Sequence, residues 1–90
     1  MAYVSFTRHL QRFFPSLAEG EVPGATVREV LEEIDRRYPG FAAYIVDETG
    51  RLRRHVNVFV RGEPIHDRIG LSDAVGEGDK MFILQALSGG

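Results

Sequence analysis

Cysteine is absent from the 90-residue sequence, which excludes disulfides, cysteine-ligated zinc and a cysteine nucleophile within the chain. Long apolar runs are absent too. Nothing approaches the roughly 20 residues that a membrane-spanning helix needs, and the first residues lack the pattern of a secretory signal. The cytoplasm is the expected location, with no membrane partner. A basic excess is also missing: 11 Lys and Arg against 13 Asp and Glu leave a net charge of -2, which argues against a general nucleic-acid binder. Repeats, linkers and low-complexity tracts do not occur, so residues 1–90 read as one domain. A hydrophobic content of 43% suits an ordinary globular core that needs no covalent staples.

Periodicity supplies the elements. Tyr3 to Arg8 alternates as a half-buried strand, with Val4 and Phe6 inward and Ser5 and Thr7 outward. The Phe13-Phe14-Pro15 stretch breaks that pattern. Leu17 to Val22 reads as a second strand closed by a Pro23-Gly24 turn, which makes a hairpin with a long loop. Val27, Val30, Leu31, Ile34 and Tyr38 recur at helical spacing, so a helix is predicted from about Val27 to Tyr38. Thr26 and Glu29 form its capping box, the acidic residues lie mostly early and Arg36 and Arg37 late, and Pro39-Gly40 stops it. Phe41 to Val46 is a helical turn or an irregular packed segment, and Asp47 to Gly50 a turn. Val56, Val58 and Val60 mark one face of a strand. Gly62-Glu63 then turns the chain into a short edge strand at Pro64-Ile65. Ser72 to Val75 is expected as a single helical turn, Gly76 to Asp79 as a tight turn, and Lys80 to Leu87 as the final strand. The apolar run Met81-Phe82-Ile83-Leu84 suits a central strand lying parallel to the first. A hairpin followed by one helix crossing a mixed sheet gives an α+β domain of β-grasp, or ubiquitin-like, architecture.

The residues after that strand suggest the chemistry. Glycine lacks a Cβ, so Gly89-Gly90 can thread a narrow channel and leave a terminal carboxylate free of steric cover. Such a carboxylate can attack the α-phosphate of ATP in another enzyme's site. The acyl-adenylate that results is open to displacement by sulfur or by an amine. Absence of cysteine therefore leaves sulfur chemistry possible, carried on a backbone carboxyl.

In combination, the capped helix, the His55-Val56-Asn57-Val58-Phe59-Val60 strand, the Gly76-Glu77-Gly78-Asp79 turn and the Leu87-Ser88-Gly89-Gly90 end resemble the MoaD/ThiS family of ubiquitin-like sulfur carrier proteins. The resemblance covers essentially the whole chain. It implies that Gly90 is the residue adenylated and converted to a thiocarboxylate, and that Gly89 is its flexible neighbour. The implied partners are an E1-like adenylyltransferase or sulfurtransferase, which uses the ATP, and a sulfur-accepting synthase. No cofactor would be bound by the carrier itself, which is expected to be a monomer when free and not an enzyme. Family members donate sulfur in cysteine, secondary-metabolite, molybdopterin, thiamin or thiolated-tRNA synthesis. The length and the arginine-rich lead into the valine strand are more similar to the cysteine-forming and secondary-metabolite carriers.

Other residues were weighed against plainer roles. Phe59 and Leu84 fall opposite the inward-facing residues of their strands, on the open side of the sheet. With Leu87, Ser88 and Gly89 they are candidates for a partner-binding surface; the competing account has residues 41–46 or a loop covering them. His9, His55 and His66 lack metal-ligand spacing and a nucleophile to activate, so no metal site is expected. Glu32, Glu33 and Asp35 read as a solvated helix face. Arg51, Arg53 and Arg54 read as a solvated loop, with steering of an acidic partner as the sharper alternative. Gly76 and Gly78 mark a turn and lack the lysine and helix of a phosphate loop. Two further functions compete for the whole chain: a ubiquitin-like modifier conjugated through Gly90, and a β-grasp interaction module with an inert tail.

Overall fold

The structure is a computed structural model that describes residues 1–85. Strand β1 (Ala2–Phe6) buries Ala2 and Val4 and pairs antiparallel with β2 (Gly20–Val22). It stops two residues short of the expected end. Leu10 must reach the core, where it is fully buried, so residues Arg8–Arg12 coil into a 3-10 helix that starts with Leu10 N–H donating to the Thr7 carbonyl. β2 is likewise shorter than expected, since Leu17 enters the core ahead of the strand.

Helix α1 (Val27–Arg37) buries Val27, Val30, Leu31 and Ile34, the stripe read from the sequence. Thr26 Oγ1 accepts from Glu29 N–H at 3.2 Å, while the Glu29 carboxylate reaches one residue further back than a capping box requires, to Ala25 N–H at 3.0 Å. Two more amides of the first turn would be orphans. Val27 N–H donates to the Asp73 carbonyl at 3.1 Å and Arg28 N–H to the Leu71 carbonyl at 3.0 Å. This corrects the helical turn expected at Ser72 to Val75. That segment is not helical and bridges Ala74 to Thr26, because the Asp73 carbonyl, with that of Leu71 just before it, is committed to the start of α1. Gly24 lets the chain ahead of α1 pass close to the helix's own first turn. Its φ is +147°, and a Cβ there would lie 2.8 Å from both the Val30 side chain and the Val30 backbone nitrogen.

Helix α2 (Phe41–Ile45) follows Gly40 and packs Phe41 and Ile45 into the core, settling the segment as helical. Strand β3 (Val56–Val60) buries Val56, Val58 and Val60. The hairpin to β4 (Glu63–Pro64) turns at Arg61-Gly62, one residue earlier than expected. Both residues have positive φ, as a type I′ turn demands. β4 is correspondingly Glu63–Pro64, with Ile65 beyond it in the core. The last described strand, β5 (Lys80–Gln85), lies between β1, to which it is parallel, and β3, to which it is antiparallel. The sheet order is β2-β1-β5-β3-β4. With α1 and α2 on one face, this mixed sheet is the β-grasp anticipated, with β5 central and parallel to β1 as expected.

Candidate functional site

The candidate residues Leu87, Ser88, Gly89 and Gly90 lie outside the described residues. What the structure describes is the strand that leads to them. Thr7 N–H donates to the Ile83 carbonyl at 3.1 Å, and Gln85 N–H donates to Thr7 Oγ1 at 3.2 Å. On the other side Gln85 faces Val56 and Leu84 faces Asn57. β5 is thus held from both flanks up to its last described residue.

Alternation along β5 sends Met81 and Ile83 into the core and Phe82 and Leu84 to the opposite face. On β3, Val58 and Val60 point inward, with Asn57 and Phe59 outward. The structure therefore places Phe59 and Leu84 on one face, as their positions implied. It adds Phe82, whose ring centroid lies 6.4 Å from that of Phe59 with the planes 40° apart. Phe59, Phe82 and Leu84 are all half-buried. α2 does not cover them, since Phe41 packs on the other side with Phe6 and Phe14, at centroid distances of 5.7 and 5.6 Å. A loop reaches this face instead. Arg68 donates to Asn57 Oδ1 at 3.1 Å and to the Arg53 carbonyl at 2.8 Å, roofing the end of β3. Phe82 was not singled out from the sequence, although the alternation that puts Leu84 on this face puts Phe82 there too.

The acidic residues belong to the scaffold. Asp67 accepts from Gly70 N–H at 2.8 Å, Ile69 N–H at 3.1 Å, Ser72 N–H at 3.2 Å and Ser72 Oγ at 2.5 Å. The Ser72 hydroxyl first, then these amides, lower its pKa to about 2. Asp73 accepts from His66 and Asp67 N–H at 2.9 and 2.7 Å, and these amides hold its pKa low. Asp79 accepts from Gly76 N–H at 2.7 Å and pairs with Arg61, and its pKa is lowered by that amide first. On α1, Glu33 bridges Arg36 and Arg37, and Asp35 caps the start of α2 through Ala42 N–H at 2.9 Å. Carboxylates held ionised by amides serve as acceptors and are poorly suited to general acid–base work. Asp67 and Asp73 were not singled out from the sequence, because their role depends on a loop conformation that no local pattern announces.

The ThiS family matches residues 4–90. The sulfur carrier protein CysO of Mycobacterium tuberculosis is 33% identical over 69 residues, 74% of this chain and 74% of that protein. Small archaeal modifier protein 3 of Haloferax volcanii is 30% identical over 66 residues, 73% of this chain and 71% of its own length. A chain in the crystal structure of the Amycolatopsis orientalis BexX/CysO complex superposes with a TM-score of 0.85 at 33% identity, covering 100% of both chains. The sheet order, the core alternation and a match across nearly the full sequence agree, and the chain belongs to the ThiS family of sulfur carrier proteins.

Proposed function

We propose that this chain carries sulfur on the carboxyl group of Gly90 and is a substrate of partner enzymes, not a catalyst. The observation that supports this best is the seating of β5. A central strand, held by β1 and β3, leads straight into the residues before Gly89-Gly90. Gly90 is the fifth residue beyond Gln85, and fully extended that span reaches roughly 17 Å. That length lets a glycine terminus enter a channel while the folded body stays outside.

In the proposed reaction a carboxylate oxygen of Gly90 attacks the α-phosphorus of ATP in an E1-like partner, and pyrophosphate leaves. A sulfur nucleophile equivalent to hydrosulfide then attacks the acyl carbon. AMP departs and a thiocarboxylate remains, whose sulfur passes to an acceptor in a synthase. The likeness to CysO supports a cysteine-forming or secondary-metabolite pathway for that sulfur. Phe59, Phe82 and Leu84 supply an apolar surface for the activating partner, and ATP belongs to that partner's site. The likeness to small archaeal modifier protein 3 supports a second reading, in which the same activated terminus is transferred to lysines.

The test uses the missing cysteine. The protein is incubated with host extract, ATP and a sulfide source, then alkylated with a thiol reagent and weighed intact. One ATP-dependent adduct mapped to Gly90 is expected. No adduct, in an extract that loads a known carrier, removes the sulfur-carrier reading, and isopeptide conjugates in the same extract would select the modifier.

A further inference from the structure

We propose that the surface around the base of the tail is a cationic collar that docks against a carboxylate-rich rim on the partner, at the mouth of the channel receiving Gly90. The collar rests on the proposed function only in requiring that the tail enter a partner. Gln85 lies between Thr7 on one side and Val56 on the other. The residues next along those flanking segments are Arg8, and Arg54 with His55. Adjacent strands are about 4.8 Å apart, so the two segments stand only about 10 Å apart across the exit of β5.

Side-chain contacts join them into one surface. Phe13 packs on Tyr44 with centroids 4.7 Å apart, and His9 meets Phe13 edge-on at 5.5 Å, which fixes the Arg8–Arg12 helix against α2. Arg53 Nε donates to the Ala43 carbonyl of the same α2 at 2.9 Å. Arg8, Arg12, Arg53 and Arg54 are exposed, and none forms a salt bridge with a carboxylate among the described residues. Segments 7–14 and 51–60, and α2 between them, contain no Asp or Glu at all. Elsewhere Arg36 and Arg37 pair with Glu33 and Arg61 pairs with Asp79, while Arg28 and Arg68 make hydrogen bonds to uncharged oxygens; what sets this pole apart is that its segments hold several arginines and no carboxylate. In a chain of net charge -2, this pole carries cations without their counter-charges.

The pole also has the other marks of an interface. Phe13 and Tyr44 are 45% and 37% exposed, giving aromatic anchors among arginines. An open groove of about 420 Å³ is lined by Ala43, Tyr44, Arg53 and Gln85.

Distance identifies the anion. Held extended in a channel, the tail spans up to roughly 17 Å, beyond the Debye length of about 8 Å at physiological salt, so there these arginines act on the channel rim and not on a nucleotide phosphate at Gly90. Carboxylates on a protein surface are the matching charge.

The test measures the initial rate of ATP-dependent loading of the full chain at low salt and at roughly 0.3 M salt. The triple variant R8Q/R53Q/R54Q is compared with R36Q/R37Q/R61Q, which removes the same charge elsewhere. Circular dichroism and melting curves establish that both fold. Expected is a rate about tenfold lower for the collar variant at low salt, with its salt dependence flattened, while the control variant follows wild type. Equal rates for collar variant and wild type overturn the collar and leave the carrier intact. Failure of wild type to load, in an extract that loads a known carrier, brings down the carrier reading itself. Binding of labelled oligouridylate by wild type but not by the collar variant overturns the carboxylate partner in favour of nucleic acid.

Discussion

The two faces of the central strand pair differ more than their sequences suggest. Ile83 and Leu84 are neighbours of similar size, yet Ile83 is fully buried under α1 while Leu84 is half-buried on the side that lacks a helix. Val58 and Phe59 repeat the contrast on β3. One face holds the molecule together. The other leaves Phe59, Phe82 and Leu84 half-buried, which is the surface proposed above for the activating partner.

The largest effect should come from the covered face. Ile83→Ala is expected to cost about 2–5 kcal/mol in urea unfolding. Leu84→Ala should cost clearly less and act on loading instead. Equal destabilisation by the two would erase the distinction between the faces. Next comes Gly24→Ala, expected to cost about 1–3 kcal/mol, since the new Cβ needs a positive φ and meets Val30. An unchanged melting temperature would show that α1 can shift away without loss. On the other face, Phe59→Ala should lower the loading rate about tenfold at limiting partner, with a much smaller change in stability. An unchanged rate would remove Phe59 from the docking surface.

The smallest effect concerns acid. Asp67 has its pKa lowered to about 2, below the ordinary value of 3.8, by the Ser72 hydroxyl and neighbouring amides. Its contribution is present in full above about pH 4 and is lost as the pH falls through about 2. Urea midpoints between pH 5 and pH 2 should therefore fall more for wild type than for Asp67→Asn. A parallel fall in both would mean that the loop holds its shape without that charge.

Much of this was legible beforehand. The stripe of α1, the valine alternation of β3 and the central place of β5 are periodic signals, and the sheet order follows from them together with the parallel pairing. Legibility failed where long-range contacts decide. The stretch at Ser72 to Val75 has local features of a turn, but the carbonyls of Asp73 and of Leu71 just before it serve helix amides more than forty residues earlier in the chain. The arginines near the tail were legible only as separate segments. Their convergence depends on β1 and β3 both flanking β5, together with an aromatic contact between Phe13 and Tyr44.

The position of β5 also bears on how the chain matures. It is the last of the five strands in sequence, yet it occupies the middle of the sheet. Neither β1 nor β3 can complete its pairing until β5 has been synthesised, because its slot separates them. A nascent chain still missing these residues has two incomplete halves of a sheet and an uncovered core, and such long-range pairing is slow to form. Folding is thereby deferred until β5 has been synthesised. A product stalled or truncated before β5 therefore has neither a complete sheet nor a closed core.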